Sequence, residues 1–250
     1  MTLFGYRIPI MASLLAWCIL WEIVGQLDLT FLIPPLSHVL VAAVSLVQTG
    51  SWQAAALTTL NSFVIGMALA IVIGVMLGVL MGRSPVADNL LGIWVNIFVS
   101  APLSALVPVL MILFGMGETT VVVTVFLFAV WIIVLDTRAG IQAVPRSLEE
   151  MGRSYGAGGL RLYSKIILLA ALPEILAGIR LGLVRGVKGV VIGQLLVSII
   201  GYGELFELYS RNFDMENFWA LTIILFAAAM GLSALIENIE KRVEYYAGVR

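Results

Sequence analysis

Residues 145–173 read PRSLEEMGRSYGAGGLRLYSKIILLAALP, a polar island in a very apolar chain. Arg146, Arg153, Arg161 and Lys165 sit here, while the long tract before it carries only Arg7, Arg83 and Arg138. Pro145 has the fixed φ of a helix start, and Leu148, Met151 and Tyr155 follow at spacings of three and four, which predicts a short helix. Gly156, with Gly158 and Gly159 close behind, suits the left-handed turn that ends one. A second amphipathic segment, Leu160, Tyr163, Ile166 and Ile167, then runs into the apolar stretch at Leu168. A helical hairpin that faces water between two membrane spans requires a soluble partner.

The chain has 250 residues, 61% of them hydrophobic and 12% charged, and its mean hydropathy is +1.08. A soluble domain of this size carries about 25% charged residues, so the bilayer is the expected solvent. Net charge is −1 and no basic patch exists, which excludes nucleic acid as a partner class. Cys18 and His38 are the single Cys and the single His, so neither an intrachain disulfide nor a zinc or redox-metal site is expected. The N-terminal apolar segment continues through Trp17, Trp21 and Glu22 without a small-residue cleavage motif. It is therefore expected to be a retained span rather than a signal peptide.

About six spans of ~20 apolar residues are predicted, at about 9–27, 57–81, 90–114, 119–135, 168–200 and 217–236. Pro34-Pro35 interrupts the chain after the first, and about 39–47 reads as a short helix lying at the membrane surface. Gly74 and Gly78 form a small-xxx-small pair, read as internal packing ahead of a dimer seam. Pro102 and Pro108 predict a kink or break in the third span. It either borders a solute path near the midplane or is satisfied by Ser100 and Ser104. With both termini on one side, that side holds Arg7, Arg83, Arg138, Arg146, Arg153, Arg161, Lys165, Lys241, Arg242 and Arg250, against Arg211 alone opposite. This bias predicts that both termini and the 145–173 loop are cytoplasmic. No linker or second domain interrupts the chain, which reads as one domain, 1–250.

The fifth span carries Glu174, Arg180, Arg185, Lys188 and Gln194. At about 100° per residue, its three cations share one broad face. A cation in the hydrocarbon costs about 2.5–3.5 kcal/mol on insertion scales, so this face should meet protein or water. Arg185 and Lys188 line a path for an anion, or the cations pair with Glu174, Glu22 or Asp136; both readings stand at this point. Asn61, Ser62, Asn96, Ser100 and Gln194 suit interhelical hydrogen bonds. No Gly-Lys pair occurs anywhere, so no P-loop is present and nucleotide must be hydrolysed elsewhere if ATP drives transport.

The 145–173 loop resembles the cytoplasmic "EAA" loop of bacterial ABC-importer permeases. Glu150 takes the Glu place, Gly156 the Gly place and Leu172-Pro173 the Leu-Pro place, while Met151 and Gly152 replace the two alanines. FLIPP at 31–35, MGRSP at 81–85, PLSALVPVLMILFGMGE at 102–118 and GIRLGLVRG at 178–186 look like the nitrate/sulfonate/taurine subfamily. The resemblance implies an all-α integral membrane permease of the type I importer class, with a coupling loop at about 145–167. It also implies a bacterial inner membrane location and a homodimer that forms the path. Two cytoplasmic ATPase subunits would hold ATP and Mg, this chain binding no cofactor itself, and a solute-binding protein would meet the outer side, at 201–217. Glu150, Gly156, Ala157, Leu160, Arg161 and Tyr163 fall on the ATPase-coupling segment. Arg185, Lys188, Gln194, Pro102 and Ser104 are the path candidates, and Gln194 stands where many relatives have Glu.

Two rival functions have distinct requirements. An ion-coupled secondary transporter needs a titratable carboxylate in mid-membrane, for which Glu22 and Asp136 are the candidates outside the fifth span. A membrane-embedded enzyme needs clustered nucleophiles or acids, which this composition does not offer.

Overall fold

A chain this apolar can cross a bilayer only with its backbone groups paired within each segment, and the architecture is helical accordingly. The computed structural model describes residues 2–3, 6–7, 10–28, 30–197 and 199–247; Pro9 and Arg250 lie outside them. A small antiparallel ribbon, β1 (Thr2–Leu3) with β2 (Tyr6–Arg7), precedes the helices. They follow as α1 (Ile10–Gln26), α2 (Leu36–Val47), α3 (Gly50–Arg83), α4 (Pro85–Ser100), a 3-10 turn (Leu103–Leu106), α5 (Val107–Phe114) and α6 (Glu118–Ala143). Next come α7 (Arg146–Ser154), α8 (Gly159–Leu162), a π turn (Tyr163–Ile167) and α9 (Leu168–Ala170). The last are α10 (Leu172–Val197), α11 (Gly201–Arg211) and α12 (Met215–Ala247).

Among the described residues three unbroken helices are long and apolar enough to span, Gly50–Arg83, Glu118–Ala143 and Met215–Leu235. Two bent pairs, Pro85–Ser100 with Leu103–Phe114 and Gly159–Ala170 with Leu172–Val197, raise the number to 5 if each is one span. The expected sixth corresponds to α1, whose 17 residues extend about 26 Å, short of a ~30 Å hydrocarbon core. Its end is fixed by packing: a Cβ on Gly25 would lie 2.5 Å from Cα of Pro35, so the Pro34-Pro35 corner sits directly on the helix. The predicted short helix is α2, with Val39, Ala42 and Leu46 buried in a cluster with Ala55, Tyr202, Phe206 and Leu221.

The centre is α6, sandwiched between α3 and α10. Gly66, Gly74, Gly78 and Gly82 of α3 lie on one side of it, where added Cβ atoms would meet Val125, Ile133, Thr137 and Ile141. On the other side Gly178, Gly182, Gly189 and Gly193 of α10 abut Asp136, Ile133, Phe128 and Thr124. Small residues bring helix backbones close where no hydrophobic driving force separates lipid from protein. The Gly74–Gly78 pair is thus spent inside the chain, as expected.

The third span breaks at Pro102 with a bend of 95°. Pro108 makes no second kink; it stands in the first turn of α5, where its missing N–H costs nothing. The break uses main-chain bonds, Ala101 N–H to Ile97 O at 2.8 Å and Ala105 N–H to Pro102 O at 2.9 Å, rather than the exposed Ser100 and Ser104. About 24 Å of helix separate Pro85 from the break. The fifth span also differs from a single rod, bending by 63° at Ala171.

Close crossings predict position-specific intolerance. Gly78→Val, whose Cβ would lie 2.5 Å from Cβ of Thr137, is expected to lose about 1–3 kcal/mol. Gly92→Val, with nothing within 4 Å, should change little. Thermal unfolding midpoints in detergent, read side by side, check the contrast.

Candidate functional site

The polar hairpin forms at the end of the bundle that carries Arg83, Arg138 and Arg146. Helix α7 ends in a double-bonded cap: Gly156 N–H donates to Arg153 O and Ala157 N–H to Gly152 O, both at 2.9 Å. Gly156 has φ +79°, a conformation that costs a side-chain-bearing residue about 1–2 kcal/mol. Gly152, one of the two departures from the alanines, keeps the position small for a visible reason. A Cβ there would collide with Ile166 Cδ1 and come 2.7 Å from Leu162 Cδ1, where α7 crosses the following helix.

That following helix has two unlike sides. Leu162 and Ile167, five residues apart, are 4% and 2% exposed. In an α-helix such residues diverge, but the π pitch across Tyr163–Ile167 brings them to one side. They pack with Ile141 and Val144 at the end of α6 and Ala171 and Ile175 at the start of α10, flanked by Val75 and Val79 of α3. The opposite surface presents Met151, Tyr155 and Leu160 at 48%, 87% and 83% exposure, with Glu150, Arg153 and Arg161 exposed around them. Of the coupling candidates, Glu150, Gly156, Leu160 and Arg161 are therefore exposed, and Ala157 packs partly inward. Tyr163 is half-buried and turns toward the bundle, where the Arg83 guanidinium carbon lies 4.1 Å from its ring centroid. A cation–π contact of this kind stabilises by about 0.5–1 kcal/mol at an exposed site.

The path candidates do not form one cluster. Arg180 Nη2 lies 3.7 Å from Glu237 Oε2 of α12, an acid outside the three anticipated partners. Arg185 is half-buried on α10. Lys188 is exposed and lines a groove of about 720 Å³ between α10 and α12, with Val191, Phe226, Met230 and Ser233. Pro102 and Ser104 are exposed at the 95° break. Gln194 instead is 1% exposed and serves packing. Its Oε1 accepts from Thr59 Oγ1 at 3.0 Å and from Tyr202 N–H at 3.2 Å, pinning α11 to α3 and α10. Side chains on Gly201 or Gly203 would run into Gln194, which explains both glycines at the start of α11.

Of the carboxylates that a secondary transporter would need, Glu22 is engaged by hydrogen bonds. Glu22 accepts from Ser37 N–H and Ser37 Oγ, each at 2.9 Å, at the end of α1. Asp136 packs its Cβ on Gly178. Sequence reasoning missed several ties. Asp88 takes Arg138 in a two-pronged contact, Nη2 to Oδ2 at 2.7 Å and Nε to Oδ1 at 2.6 Å. Trp21 Nε1 donates to Pro34 O at 3.0 Å and Trp219 Nε1 to Leu32 O at 2.8 Å, clamping the FLIPP corner. The only signal for these was the presence of donors and acceptors near predicted span ends.

The chain is thus a predominantly helical, bilayer-spanning bundle with one exposed hairpin wedged into its span ends. The family described as "Binding-protein-dependent transport system inner membrane component" matches residues 70–245, and the chain belongs to it. It is a multi-pass inner-membrane permease subunit of an ABC transport system. The taurine transport system permease protein TauC of Escherichia coli (strain K12) is 28% identical over 188 residues, 74% of this chain and 68% of that one. The bicarbonate transport system permease protein CmpB of Synechocystis sp. is 25% identical over 243 residues, 91% of this chain and 85% of that one. The nitrate import permease protein NrtB of Leptolyngbya laminosa is 25% identical over 195 residues, covering 77% and 68%. Among solved structures, an amino acid ABC transporter with histidines superposes with TM-score 0.61 at 18% identity, covering 74% of this chain and 91% of that one. An inward-facing form of the MetNI methionine ABC transporter gives 0.58 at 22%, covering 79% and 94%. These likenesses place the fold among importer permeases.

Removing the Gln194 pin should be costly. Gln194→Leu leaves the buried Tyr202 N–H with only its longer 3.4 Å bond to Thr59 Oγ1 and removes the Thr59–Gln194 bond, a penalty of about 1 kcal/mol. Protease sensitivity of the α11 segment is expected to rise while the α3–α6–α10 centre stays folded.

Proposed function

We propose that this chain forms, as a homodimer, the path of an ATP-driven importer for a small anionic solute, an oxyanion or a sulfonate. A solute-binding protein delivers the solute at the 201–217 side, and both termini and the hairpin are cytoplasmic. ATP with Mg is hydrolysed on two separate ATPase subunits, and the chain itself is not an enzyme. The observation that carries this reading is the two-sided hairpin. Tyr155 and Leu160 are exposed at 87% and 83%, while the reverse side is buried in the ends of α3, α6 and α10. A large aromatic and a leucine held out beside Glu150, Arg153 and Arg161 suit the apolar centre and charged rim of a protein interface.

Charge distribution supports the orientation, since Arg83, Arg138, Arg146, Arg153 and Arg161 gather at the hairpin end and Arg211 lies at the other. Permeases named for taurine, bicarbonate and nitrate among the relatives support an anionic solute. So does Lys188, a cation open to a groove beside the fifth span. The path candidates retained are Arg185, Lys188, Pro102 and Ser104; Gln194 is assigned to holding α11.

The double variant Tyr155→Ser/Leu160→Ser is expected to reduce ATPase co-purification at least tenfold, about 1.4 kcal/mol or more of lost interface, with detergent stability unchanged. Full retention of the ATPase would overturn the docking assignment. Uptake by proteoliposomes holding this chain alone, driven by an ion gradient, would favour the secondary transporter instead.

A further inference from the structure

Arg83 is the last residue of α3, and its guanidinium lies over Tyr163, the first residue of the π turn. The end of α3 is seated firmly, because a Cβ on the adjacent Gly82 would lie 2.6 Å from Cβ of Ile141. Only Ser84 separates α3 from α4, and its hydroxyl caps α4 by accepting from Ala87 N–H. Arg83 thus stands two residues before the start of α4, the helix that runs to the Pro102 break. Displacement of the hairpin reaches the bundle through its packing on Val75, Val79, Ile141 and Val144, and two further links lead to particular corners. One is covalent, through the 63° bend at Ala171 into α10. The other passes through the Tyr163 ring to Arg83.

We propose that Arg83 is a positioning residue that carries the hairpin's displacement to the α3–α4 corner through its contact with Tyr163. The inference rests on the hairpin being the ATPase docking segment. Tyr163 then acts inside the chain, and the docking surface is formed by its neighbours Tyr155 and Leu160. The π turn fits this role, since it lets Leu162 and Ile167 anchor the helix while Tyr163 reaches sideways to α3.

The test uses the complex with its ATPase partners in proteoliposomes, on a Cys18→Ser, Ser104→Cys background. The maleimide labelling rate at position 104 is read with and without ATP and vanadate. The parent is expected to show a nucleotide-dependent change in rate. Arg83→Ala should shrink that change roughly two- to fivefold, the range a partly exposed cation–π contact supplies, with ATPase co-purification and basal hydrolysis as in the parent. Tyr163→Phe, which keeps the ring, should match the parent, and Arg83→Lys should recover part of the loss. Arg83→Ala/Tyr163→Leu should be no worse than the more severe single change, as expected of one shared contact. A parental response in Arg83→Ala, a parent without nucleotide response at 104, loss of the ATPase from Arg83→Ala, or multiplying effects in the double variant would each overturn the proposal. A parent chain that binds no ATPase would instead remove the docking reading itself.

Discussion

The close approach of α6 to α3 on one side and α10 on the other constrains everything else in this protein. Eight glycines at the two seams leave no room for side chains, so the three helices act as one thick rod. Interfaces of this kind have few alternative packings, because shifting a helix by a residue places bulk where only hydrogen fits. Thr124, Thr137 and Asp136 enter the seams, whereas two cations of α10 turn toward α12. Arg180 reaches Glu237 on α12, and Lys188 opens toward a groove.

A rod of three helices can be moved from its end. The buried side of the hairpin touches all three rods at once, through Val75 and Val79, Ile141 and Val144, and Ile175. Its own shape is stiffened by the Gly156 cap and by the tight crossing at Gly152. At the far end the structure is tied just as firmly, by Gln194 holding α11 and by Trp21 and Trp219 holding the FLIPP corner. The third span breaks at Pro102, where the chain bends by 95° into a 3-10 turn.

The residues that announce the architecture in the sequence are those whose chemistry has one use. Pro145, Gly156 and the gathered arginines mark a capped, exposed hairpin because a fixed φ, a positive φ and unpaired charge have few other places in an apolar chain. Pro102 breaks its helix for the same reason. Pro108, with identical chemistry, does not, because the break six residues earlier had already reset the helix and turned an interior position into a first turn. The short α1 was illegible since its end is set by Pro35 on Gly25, a contact across the following loop. Pairings across large separations were hidden likewise: Arg180 chose Glu237, and Gln194 chose Thr59 and the Tyr202 main chain, through tertiary geometry that no local spacing encodes. The inward turn of Tyr163 depended on a π turn, which leaves no periodic trace in five residues.

The central claim is that the exposed side of the hairpin faces the cytoplasm and is covered there by an ATPase. Labelling of Leu160→Cys with a membrane-impermeant maleimide, in a Cys18→Ser background, measures this directly. The account predicts no reaction in intact cells, rapid reaction in inverted vesicles stripped of ATPase, and protection when the ATPase is restored. Reaction from outside intact cells, or labelling in inverted vesicles that the ATPase fails to suppress, would contradict it.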